Sequence, residues 1–161
     1  MHRETEGALS RRGFLKQTAA LSAFSIVPRH VLGGAGFTAP SDEITRAIVG
    51  VGGMGTGHLG YAGARTVAVC DVDRKHLQSA LDSLEKGVKG CADFREVLAM
   101  PEVDVVHIAT PPHWHGLISI LAAEAGKDVW CEKPMTRTIG EGRRVVEAVQ
   151  RNGRIFRLNT W

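Results

Sequence analysis

Cysteine is scarce in this sequence. There are three among 161 residues, none in a Cys-x-x-Cys pair, so neither a thiolate metal site nor a disulfide scaffold is indicated. Tyrosine is scarcer still, with one. Charge of one sign is also lacking where it would matter. Residues 1–34 carry Arg3, Arg11, Arg12, Lys16 and Arg29 against Glu4 and Glu6, which accounts for the whole formal charge of +3, so residues 35–161 are neutral. A neutral body carries no electrostatic footprint for nucleic acid. The uncharged run Gln17–Val27 is too short for a bilayer-spanning helix, which needs about 20 apolar residues. No internal repeat or low-complexity tract is evident. Glycine, by contrast, is abundant at 19 residues, and its placement is informative.

The stretch Ile48-Val49-Gly50-Val51-Gly52-Gly53-Met54-Gly55 is an apolar strand running into Gly-x-Gly-x-x-Gly. Gly50 suits a tight turn, Gly52 a close approach of backbone to a pyrophosphate, and Gly55 close packing of the following helix on the strand. Gly53 and Met54 fall at the helix start, where unpaired amides and the helix dipole favour an anion. Val67-Ala68-Val69-Cys70-Asp71 follows, placing Asp71 21 positions after Gly50. An acidic residue there accepts hydrogen bonds from an adenosine ribose, and the combination is far more specific than a lone glycine motif. The pattern indicates a dinucleotide site. Asp71 favours NAD over NADP, although Arg74 and Lys75 at the start of the next helix offer a clamp for a 2′-phosphate.

Strands are expected at about 45–50, 66–71, 103–109, 128–132 and 154–159, with a short edge strand near Val88. Helices are expected at about 53–63, 73–86, 93–99, 114–125 and 138–152, the last with an apolar stripe of Ile139, Val145, Val146 and Val149. Strands alternating with helices predict an α/β fold, a doubly wound parallel sheet of the Rossmann type in the order 3-2-1-4-5-6. In that order Cys70 and Cys131 stand roughly 14 Å apart, from three strand spacings, too far for a disulfide. Cys91 could approach Cys70, but three free, mostly buried thiols are expected.

Two segments lie beyond the carboxyl ends of strands, where such sheets bind ligands. The first is Thr110-Pro111-Pro112-His113-Trp114-His115. Its prolines stop the strand and bias Thr110 towards an extended conformation, giving a rigid loop that can press on a nicotinamide ring. His113 and His115 have no third metal ligand nearby, so no metal is assigned and His115 is expected to be structural or to contact the cofactor. The second is Glu132-Lys133-Pro134, a charged pair locked by proline at a strand end. Lys133 there suits hydrogen bonding to a substrate hydroxyl and moving its proton during hydride transfer; the competing reading is a surface ion pair of little energetic weight.

Ser10-Arg11-Arg12-Gly13-Phe14-Leu15-Lys16, followed by the uncharged run, resembles the twin-arginine export signal. Residues 1–34 are accordingly expected to be a leader read by the twin-arginine translocase, and residues 35–43 a linker to a domain at 44–161. The expected location is the periplasm, or a membrane tether if the leader stays attached. That route carries folded proteins, often with cofactor loaded.

The glycine turn, Thr110-Pro111 with His115, and Glu132-Lys133-Pro134 stand in an order and spacing that resembles the glucose–fructose oxidoreductase, inositol dehydrogenase and MocA-like family across about residues 44–161. The resemblance implies an NAD(P)-binding Rossmann domain followed by a C-terminal α/β domain, absent from this chain, that supplies further catalytic groups and the oligomer interface. It implies that Lys133 is catalytic or orients substrate, and that Glu132, Thr110 and Pro111 line the nicotinamide end. The implied substrate is a sugar or polyol. Some relatives are NAD-dependent glycosidases, which tend to lose the lysine found here at Lys133. A non-catalytic dinucleotide-binding module is the third expectation. By itself the 161-residue chain is expected to bind cofactor weakly, to turn over nothing, and to expose an apolar flank of its sheet.

Overall fold

The structure, a computed structural model, describes residues 38–39 and 42–160. The twin-arginine motif and most of the expected linker lie outside the described residues. The chain divides into two units, residues 1–42 and 43–161, and the second holds the sheet.

Six parallel strands form that sheet: β1 (Thr45–Val49), β2 (Arg65–Cys70), β3 (Lys89–Cys91), β4 (Val105–Ile108), β5 (Asp128–Glu132) and β6 (Phe156–Asn159). Their order is β3-β2-β1-β4-β5-β6, the predicted doubly wound arrangement. The connecting helices are α1 (Gly53–His58), α2 (Arg74–Ser83), α3 (Phe94–Leu98), α4 (Pro112–Glu124) and α5 (Ile139–Arg151).

Side chains alternate between the two faces of the sheet, as the period of two requires. Ala47, Val49, Ala68, Cys70, Val106, Ile108, Val129 and Cys131 pack on one face with Phe94 and Val97 of α3 and Ile118 and Ala122 of α4. Ile48 and Val69 pack on the other with Ala80, Leu77 and Leu81 of α2. Towards β5 and β6 this second face changes character. Its side chains are His107, Trp130, Glu132, Arg157 and Asn159.

Several features differ from the sequence reading, two helix boundaries and one helix face most of all. Helix α1 stops at His58, five residues early, because Gly57 and Gly60 are poor helix formers and the buried Arg46 guanidinium takes the Leu59 carbonyl through Nη2 at 3.2 Å. Helix α4 begins at Pro112 rather than at residue 114. A proline at the first helical position gives up an N–H that would have no partner anyway. In α5, Val145 is buried but Ile139 is 81% exposed and Val146 46%, so the apolar stripe is narrower than its composition suggested. The three thiols are free and buried. Cys70 and Cys91 are register partners on adjacent strands, and burial pushes the Cys70 and Cys131 thiols up to about 12.

Candidate dinucleotide and active site

The glycine turn is built by close approach. Gly50 has φ 87°, and a Cβ there would sit 2.7 Å from Thr110 N and 2.8 Å from the Ala109 carbonyl. The loop leaving β4 therefore crosses directly over the turn leaving β1. A Cβ on Gly55 would overlap the Gly50 carbonyl, lying 2.7 Å from its carbon and 3.4 Å from Ala109 Cβ. Thr56 Oγ1 donates back to the carbonyl oxygens of Val51 and Gly52, which braces the turn on α1.

Asp71, just beyond β2, holds this turn from the other side. Its Oδ2 accepts from Val51 N at 2.9 Å and its Oδ1 from Asp73 N at 2.8 Å. Each carboxylate oxygen retains acceptor capacity for a ribose hydroxyl. A cavity of about 630 Å³ opens over these groups, lined by Gly50, Gly52, Gly53, Met54, Asp71, Thr110 and Pro111. Thr110 Oγ1 is buried with no partner among the described residues, which leaves a hydroxyl for a ligand. The cavity continues between Asp73 and His76 of the α2 end, Asp93, Phe94 and Arg95 of the α3 end, and Trp114. Its residues suit a dinucleotide: a backbone cradle that any side chain would fill, the start of a helix, a ribose acceptor and an unsatisfied hydroxyl.

His115 does not line the cavity. It is 1% exposed, with Nε2 2.7 Å from the Thr110 carbonyl oxygen and Nδ1 2.7 Å from that of Pro134. It joins the two segments singled out in the sequence. Lys133 and Pro134 are exposed, linked by a cis peptide bond, and neither borders the cavity.

Glu132, expected at the nicotinamide end, is not among the cavity residues. In β5, Val129 and Cys131 face α4, so Trp130 and Glu132 face the opposite side. Glu132 is 4% exposed. Its Oε1 accepts from Asn159 Nδ2 at 2.6 Å and meets His58 Nε2 at 2.7 Å. Burial alone would raise this carboxyl, but the Asn159 and His58 hydrogen bonds, the His58 charge and the Lys133 N–H outweigh it and hold it below the usual glutamate value. One carboxylate thus ties the end of α1 to the ends of β5 and β6.

Sequence reasoning missed this cluster. His58 stacks on Tyr61 at 4.8 Å, His107 meets Trp130 at 4.7 Å, and the Arg157 guanidinium lies 5.2 Å above the Trp130 ring. Burial, then the nearby Arg46 and His58 charges, push His107 down to about 3. The available signal was the alternation itself, since Trp130 and Glu132 pair in register with Arg157 and Asn159. Asp73 and His76 line the cavity, whereas the neighbouring Arg74 and Lys75, the more conspicuous charges in the sequence, do not. Among the described residues, no group of three or more His, Cys, Asp or Glu is placed to hold a metal ion.

Known proteins agree with this geometry. The chain is 36% identical over 112 residues to the inositol 2-dehydrogenase of Salmonella typhimurium, covering 66% of this chain and 33% of that protein. It is 30% identical over 156 residues to a glycosyl hydrolase family 109 protein of Shewanella baltica, covering 86% of this chain and 34% of that protein. Among solved structures, the Bordetella pertussis WlbA dehydrogenase in complex with NADH and UDP-GlcNAcA superposes with a TM-score of 0.68 at 29% identity, over 73% of this chain and 37% of that one. The chain spans about a third of the length of these relatives. Residues 44–160 match the oxidoreductase family with an NAD-binding Rossmann fold, and the chain belongs to that family, the glucose–fructose oxidoreductase, inositol dehydrogenase and MocA group, as its NAD-binding domain.

Proposed function

We propose that this domain serves an NAD-dependent dehydrogenase that oxidises a secondary alcohol of a sugar or polyol and is exported by the twin-arginine route. The observation that carries the reading is the His115 bridge. It links the segment bearing Lys133 to the Thr110–Pro111 loop at the cavity edge, which supports a place for the lysine near the nicotinamide end. NAD, when bound, supplies the hydride acceptor. Lys133 then orients the substrate hydroxyl and takes its proton as the carbonyl forms, while Glu132 fixes the strand end beneath it. The inositol 2-dehydrogenase and WlbA relatives support an alcohol as substrate class, and Ser10–Lys16 supports export of the folded, cofactor-loaded protein.

The test is kinetic, on the whole protein with NAD+ and a panel of polyols and sugars. Lys133→Ala should lower kcat by about 10²- to 10⁴-fold, the usual share of a positioned acid–base group, with a much smaller change in NADH affinity. Equal losses in kcat and NADH affinity would remove Lys133 from the chemistry.

A second reading is supported by one observation. The family 109 glycosyl hydrolase match covers 86% of this chain, against 66% for the inositol dehydrogenase. A glycosidase of this kind would use NAD for a transient oxidation and release sugar without net NADH. Lys133 favours the dehydrogenase.

A further inference from the structure

We infer, resting on the reading of Lys133 as the group that takes the substrate proton, that His58 is a positioning residue for that lysine and acts through the Glu132 carboxylate. Neither His58 nor Glu132 borders the cavity, and they are 1% and 4% exposed, so both work from behind the site. An ionised carboxylate only accepts hydrogen bonds, so the 2.7 Å contact makes His58 Nε2 the donor to Glu132 Oε1. The same carboxylate takes Asn159 Nδ2 at 2.6 Å and the backbone N–H of Lys133. The backbone of the lysine thus starts from the group that His58 holds. On its far side, the Pro134 carbonyl oxygen lies 2.7 Å from His115 Nδ1. Lys133 is exposed, and two buried histidines bracket its backbone.

His58 is itself fixed to the cofactor side. It ends α1, whose first residues Gly53 and Met54 line the cavity, about 8 Å away along a helix rising about 1.5 Å per residue. The carbonyl of the next residue, Leu59, accepts from the buried Arg46 Nη2 at 3.2 Å. The His58 ring stacks on Tyr61 with centroids 4.8 Å apart and 19° between the planes. These contacts leave the ring little freedom, so Glu132 is held in a set place relative to the glycine turn.

The test is steady-state kinetics of the whole protein with NAD+ and its best alcohol from the polyol and sugar panel, with NADH titrations and thermal melts of each variant. His58→Phe keeps an aromatic ring and removes the donor, whereas His58→Gln keeps an N–H donor and removes the ring. His58→Phe should lower kcat by about 10- to 100-fold, the cost of misplacing a reacting group by about 1 Å, while NADH affinity changes far less. His58→Gln should recover most of that loss; packing alone would rank the two variants the other way. Because His58 acts through Lys133, His58→Phe should add little to the loss already caused by Lys133→Ala, as coupled groups are not additive. An equal loss of kcat from His58→Phe in the wild-type and Lys133→Ala backgrounds overturns the inference, as does an unchanged kcat in His58→Phe. A folded His58→Gln protein that loses as much kcat as Lys133→Ala also overturns it, and this arm stands even where His58→Phe does not fold. If Lys133→Ala retains kcat, or the whole protein oxidises no alcohol, the reading of Lys133 falls and the inference falls with it.

Discussion

Replacing Gly55 by alanine probes the glycine turn at its tightest point. The new methyl would lie 2.7 Å from the Gly50 carbonyl carbon and 3.4 Å from Ala109 Cβ, whereas carbon atoms settle at about 3.5–4.0 Å. Clearing the carbonyl requires α1 to move by about 1 Å relative to β1, and overpacking of that kind costs about 1–3 kcal/mol. Gly57 supplies the internal control. It lies in the same helix, is exposed, and a Cβ there meets nothing within 4 Å. Gly57→Ala should stabilise by about 0.5–1 kcal/mol, because alanine loses less backbone freedom on folding. The two substitutions therefore separate by about 1.5–4 kcal/mol, or about 6–16 °C at roughly 4 °C per kcal/mol for a domain of this length. Thermal melts followed by circular dichroism give the stabilities, and NADH titration gives the functional consequence. Gly55→Ala should weaken NADH binding at least about tenfold, because displacing α1 displaces the amides at the cavity and each 1.4 kcal/mol is a factor of ten. Melting of the two variants within about 2 °C of one another, on the same scale, would refute the packing argument.

The buried cluster and the leader have consequences of their own. Glu132→Ala leaves His58 and the Asn159 amide without their shared acceptor. It should cost about 3–5 kcal/mol in chemical denaturation, while Glu132→Gln, which keeps an oxygen, should cost about 1–2 kcal/mol; equal losses would contradict the network. His107 is held neutral down to about 3, whereas an unfolded histidine protonates near 6.5. Its folded value is depressed, so its contribution is complete above about pH 6.5 and lost as pH falls towards about 3, by up to about 1.4 kcal/mol per pH unit. His107→Leu should flatten the pH dependence of stability between pH 6 and pH 4; an unchanged slope there would mean that His107 takes up its proton in the folded protein. Exchanging both arginines of the leader for lysine, Arg11→Lys with Arg12→Lys, should leave the whole protein in the cytoplasm of an expressing cell, as fractionation would show.

Much of the fold was legible because its signals are local and steric. The glycine spacing, the Asp71 position and the alternation of strand and helix each constrain neighbouring residues, and the observed strand order matches what they imply. The same holds for Thr110 and Pro111, which reach the cavity because a rigid loop beyond β4 has nowhere else to lie. Glu132 was legible as a special residue but not in its placement. A charged pair at a strand end suggests solvent or ligand, yet the two-residue period turns Glu132 inward, towards His58 from a helix 74 positions earlier in the chain. That partner is distant in sequence, and His58 looks like an ordinary surface residue in a glycine-rich helix. His115 was open between packing and cofactor contact, because only tertiary structure brings the Pro134 carbonyl to the second ring nitrogen.

Hydride transfer from an alcohol to NAD+ is the step on which the functional reading stands. Supplying the whole protein with a panel of polyols and sugars deuterated at their secondary carbinol carbons, and following the nicotinamide by mass spectrometry, tests that step directly. The expected result is a substrate whose turnover produces singly deuterated NADH in one-to-one proportion to a ketone product. Cleavage of a glycoside with no accumulated NADH, in place of any such transfer, would contradict it and make the chain the cofactor domain of a hydrolase.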